Sequence, residues 1–149
     1  MALTQTKKMP GHLIRRVHQI SNAIFSEEMA AYDLTAVQFI ALVAIGDHPD
    51  LDATRLSELI DFDRSTIGGV IERLEHKRLI KRAVSPKDRR IKTLRLTPAG
   101  RALVSVSFDR VVRVQDRLQE ALSPGEADTF CRLLERIILA NSGMTDGRF

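Results

Sequence analysis

Residues 56–100 read LSELIDFDRSTIGGVIERLEHKRLIKRAVSPKDRRIKTLRLTPAG, and this stretch decides the fold. Leu56, Leu59 and Ile60 form the apolar side of a short helix that Asp52 can cap. Asp61-Phe62-Asp63 reads as a tight turn. A second helix starts near Arg64 or Ser65, with Ile67, Val70, Ile71 and Leu74 as its buried stripe. Two short helices joined by about four residues are the layout of a helix-turn-helix. Leu79 to Val84 then leads through a polar tip, Ser85-Pro86-Lys87-Asp88-Arg89-Arg90, into Ile91 to Leu96. In that last segment Ile91, Thr93 and Arg95 alternate with Lys92, Leu94 and Leu96, so the pair is predicted to be a β-hairpin. A hairpin directly after the second helix is a wing.

Helices flank this core on both sides. Pro10 opens a pattern in which Leu13, Val17, Ile20 and Ile24 make one apolar stripe. Thr35 with Gln38 has capping-box spacing ahead of Val37, Phe39, Ile40 and Val43. Thr97-Pro98 places an N-cap before a proline at the first helical position, and a long helix is expected to run to about Leu122. Ser123-Pro124-Gly125-Glu126 repeats the start signal, and Phe130, Leu133, Leu134, Ile137 and Ile138 follow. The expected fold class is mainly α with a small β wing. A winged helix-turn-helix domain at 33–97 carries helical arms at 10–30 and 98–141. The arms have more apolar surface than so small a core can cover, so a twofold homodimer is expected.

With 149 residues and 44% apolar composition, the chain suits one small domain with arms. A single cysteine, Cys131, rules out an intrachain disulfide and fits a reducing cytoplasm. No signal peptide or membrane span is apparent. Cytoplasmic localisation without a membrane partner is therefore expected. The net charge of +4 decides little until its distribution is read. Residues 63–95 hold eleven basic and four acidic side chains, a surplus of +7, which leaves −3 for the rest of the chain. Positive charge is thus gathered on the second helix and the hairpin, where a winged helix meets DNA.

The stretch Leu56 to Gly100 resembles the MarR family of transcription regulators. The most specific pieces are the wing tip Asp88-Arg89-Arg90, with its D-x-R spacing, and Leu96-Thr97-Pro98-Ala99-Gly100. The resemblance implies that the second helix enters the major groove of double-stranded DNA with Arg64, Ser65 and Thr66 near base edges. It implies that Arg90 enters the minor groove, held by Asp88, while Lys87, Arg89 and Arg73 meet phosphates. Two positions depart from the family pattern. Gly68 and Gly69 stand where relatives often carry DNA-contacting polar side chains; either close packing on the preceding helix or close approach to DNA would account for them. Arg78 stands where a turn glycine is usual, so it must take a strained conformation or the turn must be made differently.

The family also implies a small anionic aromatic effector held between arm and winged helix. The first arm carries His12, Arg15, Arg16, Gln19 and Asn22 near one broad face, and arginine offers a planar fork for a carboxylate. Phe25, Phe39 and Phe62 are candidate apolar walls. The pattern resembles regulators of aromatic-acid breakdown, which respond to free acids or to their coenzyme A thioesters. The function expected is a ligand-responsive repressor on a palindromic operator. The alternative is a winged-helix protein-interaction module without a small-molecule effector. No nucleophile elbow, phosphate loop or metal-binding histidine pair is present, so neither an enzyme, a metal site nor a cofactor is expected. Cys131 is expected to be a buried small hydrophobe rather than a redox sensor.

Overall fold

A computed structural model describes residues 3–85 and 88–144, with Met144 described by its backbone alone. Among them are seven α-helices and one two-stranded sheet, so the chain is mainly helical with a small wing. They are α1 (Leu3–Thr6), α2 (Pro10–Glu28), α3 (Ala36–Asp47), α4 (Ala53–Leu59), α5 (Arg64–His76), β1 (Ile80–Val84), β2 (Lys92–Leu96), α6 (Pro98–Gln119) and α7 (Pro124–Ala140). The chain divides into two units, residues 1–36 with 107–121, and residues 37–106 with 122–149.

The second unit holds the winged helix. Helix α3 starts at Ala36 and is apolar nearly all round, burying Phe39, Ala41, Leu42, Ala44 and Ile45, as a core helix must. Asp52 caps α4 by accepting the Arg55 N–H at 2.8 Å. Asp61 takes a left-handed φ of 55° in the link to α5. Asp63 is the N-cap of α5, accepting the Thr66 N–H at 2.8 Å. Leu42, Ile45, Leu56, Ile67, Ile71, Leu74 and Leu94 are each 2% exposed or less, and form the centre of this unit. Burying one such side chain is worth about 1.5–3 kcal/mol, so this cluster is the main source of the unit's stability.

Strands β1 and β2 pair antiparallel, from Ile80 opposite Leu96 to Val84 opposite Lys92. The Leu94 N–H donates to the Leu51 carbonyl at 2.8 Å, tying the wing to the segment before α4. Thr97 joins the wing to α6. Its hydroxyl donates to the Arg78 carbonyl at 2.8 Å and accepts the Gly100 N–H at 3.0 Å. A Cβ on Gly100 would overlap the Leu79 carbonyl oxygen, so only glycine fits there.

In the first unit Phe25, Met29, Leu34, Ser107 and Val114 are buried. Arg117 spans α6 to the end of α2, donating to Glu28 at 2.9 Å and to Glu27 at 2.8 Å. Arg113 and Arg110 approach Glu28 at 3.5 Å and 3.8 Å. The Arg117 hydrogen bond, helped by the charges of all three arginines, holds the Glu28 carboxyl below its ordinary value.

Helix α6 stops at Gln119, short of the expected Leu122. Ser123 caps α7 with an extended backbone, φ −69° and ψ 160°, and the full capping box with Glu126 forms. The chain has to leave the helical conformation before it can make that cap. No helix among the described residues is long and apolar enough to cross a membrane.

Candidate nucleic-acid interface

Helix α5 and the wing tip carry the predicted DNA contacts, and those among the described residues all lie in the second unit. Arg64, Ser65 and Thr66 form the exposed first turn of α5. The Thr66 hydroxyl donates to the second carboxylate oxygen of Asp63. That bond and the Thr66 N–H hold the Asp63 carboxyl below its ordinary value of 3.8. Each carboxylate oxygen of Asp63 thus already accepts one bond from Thr66 at the start of α5. Spacing alone predicts only a turn at Asp63, whereas an aspartate three residues before Thr66 is also an N-cap signal.

Gly68 and Gly69 lie mid-helix and are half-buried. A Cβ built at either would meet no atom within 4 Å. Close packing on the preceding helix therefore does not explain them. Arg73 is exposed near the end of α5. Arg78 adopts the left-handed conformation with φ 57°, so the strained alternative is the one realised. The turn still closes, through the Arg78 N–H to the Glu75 carbonyl at 2.8 Å and the Leu79 N–H to the Leu74 carbonyl at 3.0 Å.

At the wing tip, Asp88, Arg89 and Arg90 are all exposed. Asp88 accepts the backbone N–H of Arg90 at 2.9 Å, so it shapes the turn that carries the arginine. Lys87 lies outside the described residues. Two more of the eleven basic residues come together beside the wing. Arg82 and Lys92 line a cleft of about 200 Å³ with Asp52, Thr54 and Ile71, and Arg82 pairs with Glu75 at 3.1 Å. Their strand register is what brings them to one side, and it was not derivable before the pairing was known.

The polar face of α2 belongs to the first unit. Arg15, Arg16, Gln19 and Asn22 are exposed and His12 is half-buried. Arg16 donates to Gln19 at 3.1 Å, and Asn22 pairs with His18 at 3.0 Å. His18 was not among the expected site residues, yet it shares in this face. Of the candidate apolar walls, Phe25 and Phe39 are buried and Phe62 is exposed. Cys131 is exposed on α7, contrary to expectation. Leu133, Ile137 and Ile138 on the same helix are likewise exposed in the single chain. No group of three or more His, Cys, Asp or Glu side chains comes together among the described residues.

A capped helix-turn-helix, a wing tipped with arginines and a local excess of basic charge together define a winged-helix DNA-binding regulator. Residues 32–91 match the family model described as MarR family. The chain is 31% identical to the HTH-type transcriptional repressor NicR of Pseudomonas putida over 128 residues, covering 86% of this chain and 81% of that one. The chain belongs to the MarR family. The fold matches BpsR of Bordetella bronchiseptica, whose DNA binding is regulated by 6-hydroxynicotinic acid. That likeness has a TM-score of 0.83 and 33% identity, over 88% of this chain and 94% of that one. It also matches the PcaV transcriptional regulator of Streptomyces coelicolor, solved with its natural ligand. Here the TM-score is 0.83 and the identity 31%, over 94% of this chain and 99% of that one. The relatives bear the names of transcription regulators, not of enzymes.

Proposed function

We propose that this regulator is a homodimeric cytoplasmic repressor, released from a palindromic operator by a small aromatic carboxylate or its coenzyme A thioester. In this reading Arg64, Ser65 and Thr66 face base edges in the major groove, with Gly68 and Gly69 allowing the helix to approach. Arg90 enters the minor groove from a turn that Asp88 holds. Arg73, Lys87 and Arg89 meet phosphates and set the register. The helices at 10–30 and 98–141 form the dimer. Support comes from apolar side chains left exposed on α2 (Leu13, Ile14, Ile20), on α6 (Val106, Phe108, Val112) and on α7 (Leu133, Ile137, Ile138).

The observation that carries the effector reading is the α2 face, where Arg16 is oriented by Gln19 beside Arg15, with His12 and Asn22 on the same helix. An arm serving dimerisation alone does not need two guanidinium groups there. A carboxylate that pairs with one of them has unequal affinity for two arrangements of the arm, which is what release from DNA requires. BpsR, similar over most of its length, responds to an aromatic carboxylate. The test is fluorescence anisotropy of a labelled operator duplex, titrated with 6-hydroxynicotinic acid, benzoate and benzoyl-coenzyme A. At least one should release the parent protein, and Arg15→Ala or Arg16→Ala should abolish that response while keeping DNA affinity. If both variants release as the parent does, the anion site lies elsewhere.

A further inference from the structure

The outward side of α5 combines hydrogen-bonding side chains with a stretch that carries none. Ile67, Val70, Ile71 and Leu74 face the core. At 100° per residue, Ser65, Gly69, Glu72 and His76 lie opposite that stripe, Thr66 and Arg73 lie on one shoulder, and Gly68 lies on the other. Neither glycine is needed for packing, since a Cβ at each meets nothing within 4 Å. Each nevertheless lowers helix stability relative to alanine. At Gly69, on the outward side, the helix gives up stability for bare backbone.

Thr66 adds an independent observation. Its N–H and its hydroxyl both bond Asp63, the first at 2.8 Å to one carboxylate oxygen, the second to the other. The hydroxyl proton is therefore committed to the N-cap, although the residue as a whole is exposed. With its proton taken, Thr66 cannot donate to a base; it offers its γ-methyl group, besides the lone pairs of its hydroxyl oxygen. Threonine methyl and glycine backbone, one helical turn apart at most, make a shallow apolar patch.

We infer that Thr66 and Gly69 are specificity determinants that recognise the 5-methyl group of thymine in the major groove, with Asp63 as the positioning residue that fixes the Thr66 rotamer. Thymine alone presents a methyl group in that groove, and an apolar contact reads it without any hydrogen bond. Gly69 removes the side chain that would hold the backbone away from the base edge. This inference rests on the reading of α5 as the DNA-contacting helix.

The experiment selects duplexes from a random-sequence pool with the full-length protein. Each thymine of the selected duplex is then replaced by deoxyuridine, which deletes only the methyl group. Affinity should fall about fourfold for each contacted methyl removed, at one or more positions in each half-site. Thr66→Ser keeps the capping hydroxyl and should bind thymine and deoxyuridine equally there. Gly69→Ala should raise the melting temperature yet weaken the selected duplex roughly tenfold, the loss of about one good base contact. A purely structural glycine would move both readings in the same direction. The inference is overturned if no deoxyuridine weakens the parent, if Thr66→Ser still discriminates, or if Gly69→Ala binds as the parent does. A parent that enriches no sequence at all would overturn the DNA-contacting reading of α5 itself, and the inference with it.

Discussion

The Asp88 carboxylate accepts the backbone N–H of Arg90 at 2.9 Å, and the Ile91 N–H closes the same turn on the Asp88 carbonyl at 3.0 Å. The acid thus fixes the chain that presents the arginine. Arg90→Ala removes an exposed side chain and leaves no cavity, so melting should be unchanged. Operator affinity should fall by about 1–3 kcal/mol. Asp88→Asn keeps an acceptor for the Arg90 N–H and should bind nearly as the parent does, while Asp88→Ala should fall between the two. Anisotropy titrations with parallel thermal melts check the order.

Arg78 carries the left-handed turn after α5 at φ 57°, a conformation that costs a side-chain-bearing residue about 1–2 kcal/mol. Arg78→Gly should relieve most of this. The extra freedom it gives the unfolded chain takes some back, leaving a gain of up to about 1 kcal/mol. Gly100→Ala should do the opposite, losing about 1–3 kcal/mol, because its Cβ runs into the rigid Leu79 backbone. Denaturant titrations of both variants measure the two signs.

How much of this was legible beforehand depended on the range of each interaction. The helix-turn-helix, the wing and the capping box at Ser123 rest on residues a few positions apart, and spacing alone predicted them. The strain at Arg78 was one of two alternatives, and only backbone geometry could choose. The bonds from Arg117 to Glu27 and Glu28 join residues about ninety positions apart, and no periodicity announces such a pair. Gly68 and Gly69 had two readings in sequence because a missing side chain looks the same whether a neighbour or open space lies beside it. For Cys131 the expectation of burial fails because its helix is amphipathic, and apolar spacing says which side is sticky without saying what covers it.

That stickiness can be measured. Ile138 is 64% exposed on α7. Ile138→Glu should leave the winged helix folded, since the side chain is not buried in the single chain, but should weaken or dissociate the proposed dimer. Light scattering should read a dimer for the parent and a smaller mass for the variant. A parent that is a stable monomer at micromolar concentration would contradict the dimer.

Glu28 titrates below its ordinary value of 4.5 because it accepts from Arg117, with Arg113 and Arg110 close by. A depressed folded value means stability that is fully present above pH 4.5 and is lost as the pH falls through the lower folded value. Glu28→Gln has no such proton to take up. Melting temperatures followed from about pH 5 down to pH 3 should fall less steeply for the variant than for the parent. Asp63 and Glu126, also held low by their capping bonds, remain in both proteins and set the shared slope.

The central claim is that the positive charge gathered on α5 and the wing reads double-stranded DNA. Affinity of the full-length protein for a selected duplex, measured across a range of salt concentrations, tests it most directly. The expected result is tight binding whose logarithm falls linearly and steeply with the logarithm of salt, with Arg89→Ala reducing the slope by roughly 1. Affinity that is absent, or that does not change with salt, would contradict the account.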